Sequence, residues 1–126
     1  MDSTELKDLK IHAAHVRKMA LEAVHSAGAG HPGGSLSVAD ILTYLYFKEM
    51  NVNPKDAKNP ERDRFVLSKG HCSPALYGIL AEAGFIPKED IKGFRNINSY
   101  LQGHPDMKNV NGVDMSTGSL GQGISC

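Results

Sequence analysis

The chain has 126 residues, and its fourteen basic and fourteen acidic side chains give a net charge of zero. This length suits one domain, the charge balance offers no overall field for nucleic acid or an anionic membrane surface, and no apolar run approaches the roughly 18 residues of a membrane-crossing helix. The opening Met1–Glu5 lacks the basic start and apolar middle of a signal peptide, so we expect a cytoplasmic protein with neither nucleic acid nor membrane as a partner.

The first predicted element is an amphipathic helix. Its apolar side chains recur at steps of three and four, the period of one helical face: Leu6, Leu9, Ala13, Val16, Ala20 and Val24. Asp2 and Glu5 are placed as a capping pair, and Gly28 is expected to end the helix.

Three histidines of this helix are candidates for metal binding. His12 and His15 are three residues apart, a spacing that can hold a metal, and His25 lies further along. Because the sequence shows no acidic or thiol third ligand beside the pair, we predict no metal site in this chain.

A second helix is predicted to start at Ser37, which has the capping spacing with Asp40 and precedes an apolar stripe. The polar segment that follows, from Asn51 to Arg62, contains Pro54 and Pro60 and is predicted to be a loop.

Phe65-Val66-Leu67 is a short apolar run that predicts a buried parallel strand. Ser73 is expected to cap the next helix, with Pro74 as its first residue and Gly84 as its stop. This order places His71 just beyond the carboxyl end of the strand, where open α/β sheets bind ligands. We therefore predict the α/β class, with a parallel sheet flanked by helices and only the first helices and first strand present.

The remaining segments are less regular. Residues 87–94 predict a short helix, whereas residues 96–114 are polar, contain glycine and show no clear period. Long irregular segments in compact domains are often functional. His104 lies in this one.

Four glycine-rich motifs carry the chemistry of the sequence. They are Gly30-His31-Pro32-Gly33, Lys69-Gly70-His71, Gly103-His104-Pro105 and Thr117-Gly118-Ser119-Leu120-Gly121-Gln122-Gly123. Glycine lets the backbone approach a ligand closely, and histidine can donate, accept or shuttle a proton near neutral pH. The last motif lacks the Gly-Lys-Ser/Thr ending of a nucleotide loop and the spacing of a dinucleotide fingerprint. We interpret the motifs as one wall of a cofactor site.

Cys72 and Cys126 form neither a disulfide framework nor a Cys-x-x-Cys pair. Cys72 follows His71, but adjacent side chains rarely face one another, so a small, partly buried thiol is favoured over a nucleophile.

In their order and in their residues these motifs resemble the amino-terminal part of the transketolase family, over nearly the whole of residues 1–126. The resemblance implies an incomplete thiamine diphosphate-binding domain, on the diphosphate side of the cofactor. It implies an enzyme that transfers a two-carbon ketol unit from a ketose phosphate to an aldose phosphate in the pentose phosphate pathway. The short stretch before the first helix and the compact loop at residues 54–62 resemble the bacterial form of transketolase that is split into two polypeptides.

The resemblance also implies residue roles. His71 matches the family histidine that reaches toward the cofactor diphosphate and the reacting oxygens, while His31 and His104 match those that bind the donor ketose and move protons. Gly118 and Leu120 match residues that border the thiamine ring system. The expected catalytic residues are thus His31, His71 and His104, and the expected cofactor-binding residues are His71, Gly118 and Leu120.

Other family features are expected outside this chain. The family's Gly-Asp-Gly motif, which binds Mg²⁺ or another divalent cation, does not occur in the sequence, and the glutamate that activates the cofactor lies in a later domain. The final residues, up to Cys126, look like the start of a helix, so we expect a truncated chain that is inactive alone. Its expected partners are sugar phosphates and the remaining transketolase domains or a C-terminal subunit, in a homodimer or heterotetramer.

Two alternatives stay open. One is another thiamine diphosphate enzyme, such as dihydroxyacetone synthase or deoxyxylulose-phosphate synthase, which would use a different acceptor. The other is a non-catalytic fragment that serves only as a partner or folding unit.

Overall fold

The computed structural model describes all residues, 1–126, as a helical structure with long connecting segments. Its three α-helices are α1 (Ser3–Ala27), α2 (Pro32–Tyr44) and α3 (Ser73–Glu82). Shorter helical turns are Leu45–Glu49, Pro54–Asp56, Gly70–Cys72, Lys88–Gly93 and Gln122–Ser125. None of the helices combines the length and apolarity that crossing a membrane requires.

The ends of α1 follow their local sequence signals. The Asp2 side chain accepts a hydrogen bond from the Glu5 N–H at 2.8 Å, and Gly28 adopts a left-handed conformation (φ 63°) that ends the helix. The capping prediction is confirmed, because both signals act within one helical turn.

The predicted start of α2 at Ser37 is wrong. The helix begins at Pro32, with His31 in the capping position, and the Ser37 hydroxyl donates to the Gly34 carbonyl inside the first turns. Proline suits the first helical position because its missing N–H needs no partner there. Asp40 forms an ion pair with Arg17 of α1 instead of serving a cap.

Helix α3 is the buried centre of the fold and packs against both α1 and α2. Every residue from Ser73 to Ala81 is buried. Gly78 allows close packing, since an added Cβ would lie 3.1 Å from the Val16 carbonyl oxygen. Ser73 does not cap α3 as predicted: Cys72 holds that position, and the Ser73 hydroxyl hydrogen-bonds to another loop.

The predicted strand at residues 65–67 is not formed, and the chain contains no β-strand. Residues 63–67 form a non-helical segment whose Leu67 side chain is buried in the core, and Val66 and Leu67 make no backbone–backbone hydrogen bond. The Asp63 N–H donates to the Asn51 carbonyl at 3.0 Å, and the Phe65 N–H donates to the Asp114 carboxylate at 2.8 Å. A parallel strand exists only beside a neighbouring strand, and residues 1–126 supply none.

The other segments agree with the sequence. Lys88–Gly93 is a short helical turn, and residues 96–114 contain no regular element but pack on α3 through buried side chains such as Leu101 and Val110. This segment therefore carries His104 on an ordered surface of the bundle.

Candidate functional site

His31 reaches the site because α1 and α2 are joined by a very short connection. Gly28 ends α1, and His31 is the residue immediately before the first residue of α2. The connection is tight at Gly30, where an added Cβ would lie 2.7 Å from a methyl group of Val24. The His31 side chain is thereby held, exposed, at the carboxyl-terminal end of α1.

His71 meets His31 at the amino-terminal end of α3. It lies in the Gly70–Cys72 turn, and its ring centroid is 4.8 Å from that of His31, with the two rings nearly perpendicular. The His71 Nδ1 atom is buried and has no hydrogen-bond partner. A buried unpaired ring nitrogen is costly unless a ligand satisfies it, so this atom marks the site.

Lys69 fastens the His71 turn to α2. Its ammonium group donates to the Gly34 carbonyl at 2.8 Å and to the Ser37 hydroxyl at 3.2 Å. The first turn of α2, which carries His31, is thus linked directly to the turn that carries His71. The same lysine places a positive charge at this edge of the site, which suits an anionic ligand.

The glycine-rich motif near the end of the chain packs directly on the His71 turn. An added Cβ at Gly70 would lie 2.6 Å from the Thr117 carbonyl, so only glycine permits this approach. Further along, the Gly123 N–H donates to the Ser68 hydroxyl at 3.1 Å. The Thr117 hydroxyl oxygen is buried without a partner and is a second unsatisfied group here.

His104 completes the group from the irregular segment. A Cβ added at Gly118 would lie 3.4 Å from the His104 ring, so the ring rests on this motif. Two hydrogen bonds from α3 hold the His104 loop. The Tyr77 hydroxyl donates to the Gln102 carbonyl at 2.7 Å, and the Ser73 hydroxyl donates to the Gly103 carbonyl at 2.8 Å.

A chain of contacts therefore links four of the five residues expected at the site. His31 contacts His71, the His71 turn contacts Thr117, and Gly118 contacts His104. Leu120 follows on the same motif with 62 % of its surface exposed. The His31 and His104 side chains are exposed and His71 is half-buried, so the three histidines form an open wall.

The supporting contacts of four residues were not predicted from the sequence: Lys69, Ser73, Tyr77 and Thr117. The hydrogen-bond partners of Lys69 and Ser73 lie 30 or more residues away in sequence, and no local sequence pattern predicts such contacts. Cys72 is fully buried, and burial raises the pKa of its thiol despite the nearby Lys69 charge. A buried protonated thiol is a poor nucleophile, which supports its structural role.

Comparisons with known proteins place these observations in a family. Residues 9–126 match the family model described as "Transketolase, thiamine diphosphate binding domain". The chain is 48 % identical over 118 residues to the 6-deoxy-6-sulfo-D-fructose transketolase subunit of Clostridium sp. (strain MSTE9), covering 94 % of this chain and 43 % of that protein. It is 45 % identical over 123 residues to the transketolase of Pongo abelii, covering 98 % of this chain and 20 % of that protein.

A solved structure agrees with the sequence matches. The transketolase of Pichia stipitis in complex with sedoheptulose 7-phosphate superposes with a TM-score of 0.84 at 42 % identity, covering 93 % of this chain and 17 % of that one. The chain thus has the fold of the matching segment, and it spans less than half the length of the curated relatives described above.

Proposed function

Because the chain belongs to the transketolase family, as part of its thiamine diphosphate-binding domain, we propose that it forms one wall of the active site of a transketolase. The complete enzyme would transfer a two-carbon ketol unit from a ketose phosphate to an aldose phosphate. The observation that carries this proposal is the meeting of His31, His71 and His104 on one face beside Gly118.

The residues present fit thiamine diphosphate. His71 Nδ1 and the Thr117 hydroxyl oxygen are buried polar atoms without partners. We propose that the bound cofactor satisfies them. Gly118 has no side chain beside His104, so a ligand can approach its backbone closely. The exposed Leu120 side chain offers apolar surface to the rings of the cofactor. His71, Gly118 and Leu120 would hold the cofactor, which supplies the electron sink for carbon–carbon cleavage when bound.

The histidines would handle charge and protons on the substrate. Attack on a ketose carbonyl builds negative charge on the carbonyl oxygen, and a positioned imidazole can donate a hydrogen bond or a proton to that oxygen. We assign this task to His31 and His104, whose exposed rings can reach the first carbons of a donor ketose. His71, partly buried between them, would orient the reacting oxygens and bind near the diphosphate.

The rest of the site would come from other parts of the enzyme. Because the face is open, we propose that the ligands of Mg²⁺ or another divalent cation, and the activating glutamate, are supplied by remaining domains or by a C-terminal subunit. The Clostridium relative is itself named as a subunit, which supports the second arrangement. We further propose that residues 63–67 join a parallel sheet formed with those parts, in a homodimer or heterotetramer.

The donor and acceptor sugars are sugar phosphates in this proposal. One relative is named for 6-deoxy-6-sulfo-D-fructose and another simply as a transketolase, so the family allows different donors. We propose the ordinary exchange between pentose phosphates. A role in the pentose phosphate pathway and a cytoplasmic location stay predictions.

The test is an assay of the complete enzyme with xylulose 5-phosphate and ribose 5-phosphate. We expect ketol transfer, and we expect His71→Ala to lower kcat on the order of 100-fold, since positioned proton donors and charge-stabilising groups contribute about this much. His25→Ala is the matched control, because His25 is an exposed histidine of α1 outside the four glycine-rich motifs.

Three results would contradict the proposal. Absence of transfer with these sugars but turnover with formaldehyde or pyruvate as partner would favour the dihydroxyacetone synthase or deoxyxylulose-phosphate synthase alternative. No turnover with any partner would favour a non-catalytic fragment. Unchanged kinetics in His71→Ala would remove His71 from the site.

A further inference from the structure

A second cluster of ligand-type side chains lies at the other end of α3. His12 and His15 project from α1 toward Glu82, the last residue of α3, and the Nδ1 atom of each imidazole is 2.8 Å from the same carboxylate oxygen. One ligand atom from each of the three residues lies within 4.8 Å of the others. The third ligand that the sequence lacked beside the histidine pair is supplied from 67 residues away.

The cluster is held in place before any ligand arrives. The Glu82 side chain is only 3 % exposed, and the His12 ring stacks on Phe47 with centroids 4.0 Å apart. Glu82 is charged at neutral pH: burial opposes ionisation, but Lys88, His15 and His12 outweigh it and lower the pKa of the carboxyl to about 2. Its second oxygen is buried without a well-aligned hydrogen bond, although the Lys88 ammonium lies 2.8 Å away.

We propose that His12, His15 and Glu82 form a binding site for a zinc-type divalent transition metal ion. Two imidazole nitrogens and one carboxylate oxygen are a ligand set that suits zinc, and the half-exposed His15 leaves room for water to complete the coordination. The site joins the amino-terminal half of α1 to the end of α3.

Zinc binding requires the ligands to rearrange: the ligand atoms, now within 4.8 Å of one another, must come to nearly equal separations. Zinc bonds of about 2.0–2.1 Å in a tetrahedral arrangement separate neighbouring ligand atoms by roughly 3.3 Å. The present 2.8 Å separations are hydrogen bonds, so the carboxylate must retreat by about half an ångström and each ligating nitrogen must lose its proton.

Lys88 is the cationic group that contacts Glu82 directly and opposes a metal ion there. Its side chain is 58 % exposed, so the ammonium can turn into water when a metal takes its place on Glu82. Lys18 and Glu22 also line this cleft, and their opposite charges form a pair with one another at 3.9 Å. Removing the Lys88 charge should therefore strengthen metal binding.

This site is distinct from the proposed cofactor site. His31 and His71 lie at the opposite end of the antiparallel α1 and α3 helices, and α3, with ten residues, is about 15 Å long. The ligand set also differs from the oxygen-rich surroundings that Mg²⁺ prefers. The inference does not depend on the proposed enzymatic activity.

The test is calorimetric titration of the untagged 126-residue chain with Zn²⁺, in a Cys126→Ser background that removes the exposed thiol. We expect one equivalent to bind, and His12→Ala or His15→Ala to weaken binding by about tenfold or more, since even outer-shell changes cost 10–100-fold. His25→Ala, on the same helix, and His71→Ala, at the other histidine cluster, are matched controls and should bind as the parent does.

Two further variants sharpen the result. Glu82→Gln should weaken Zn²⁺ binding, with circular dichroism used to show that the variant is folded, and Lys88→Met should tighten binding. Co²⁺ should give visible absorption bands of a low-coordinate nitrogen and oxygen site, and Mg²⁺ should give no heat. No Zn²⁺ binding by the folded parent chain would overturn the inference. So would equal affinity in the combined His12→Ala/His15→Ala variant, which would show that Glu82 only accepts hydrogen bonds.

Discussion

Replacing Gly70 by alanine tests how closely the cofactor wall depends on one contact. The added methyl group would lie 2.6 Å from the Thr117 carbonyl, whereas ordinary contact begins at 3.4 Å, so the two loops must part by about 0.8 Å. Two of the three nearest atoms are the carbonyl carbon and oxygen of Thr117, which cannot rotate away, and the third is the Thr117 hydroxyl oxygen. We expect a loss of about 1–3 kcal/mol in the free energy of unfolding, the usual cost of overpacking.

The same displacement should reach the chemistry, because Gly70 adjoins His71 and Thr117 adjoins Gly118. A misplacement of about 1 Å can cost on the order of 100-fold in rate. Urea unfolding of the chain and steady-state kinetics of the complete enzyme would measure the two effects separately.

Gly33→Ala is the matched control for stability. No atom lies within 4 Å of a Cβ added there, and Gly33 sits inside α2, so alanine should stabilise the chain by about 0.5 kcal/mol. If Gly70→Ala unfolds at the same urea concentration as the parent and turns over at the parent rate, the loops are not in the contact described and the reasoning fails.

Three further outcomes are expected. Tyr77→Phe should lower the free energy of unfolding by about 1–2 kcal/mol, because the buried hydroxyl holds the Gln102 carbonyl at 2.7 Å; an unchanged unfolding curve would show that this bond does not anchor the His104 loop. In the native chain a thiol reagent should label Cys126 quickly and Cys72 only after denaturation, since Cys72 is fully buried with a raised thiol pKa; rapid labelling of both would contradict that burial. The pKa of Asp106 is lowered from 3.8 by hydrogen bonds from the Lys108 N–H and the Asn109 amide, so its contribution to stability is present above pH 3.8 and lost as the pH falls further. Asp106→Asn should flatten acid unfolding in that range, and an identical acid-unfolding curve for parent and variant would assign no such role to Asp106.

Features governed by neighbouring residues were predictable from the sequence. The cap at Asp2 and the stop at Gly28 act within a turn of helix α1, and both are as expected. The predicted start of α2 was wrong because it relied on the capping pattern at Ser37. The helix instead begins at Pro32, since proline is favoured at the first helical position.

Features that depend on distant residues were not predictable in the same way. The strand at 65–67 has the right composition but no neighbouring strand among residues 1–126, and composition alone cannot supply one. The motifs indicated His31, His71 and His104 as a group, but the contact of Gly70 with Thr117 became visible only in three dimensions. Likewise, nothing near His12 and His15 in sequence pointed to Glu82.

The backbone of Val66 and Leu67, which forms no backbone–backbone hydrogen bond, has a practical consequence for anyone who prepares this chain. Amide and carbonyl groups that face no partner offer a template on which any other extended polypeptide can dock, including a second copy of the same molecule. Concentrated samples of the chain alone should therefore self-associate through the backbone of this segment. Producing it together with a complementing polypeptide should keep that edge occupied and the preparation monodisperse.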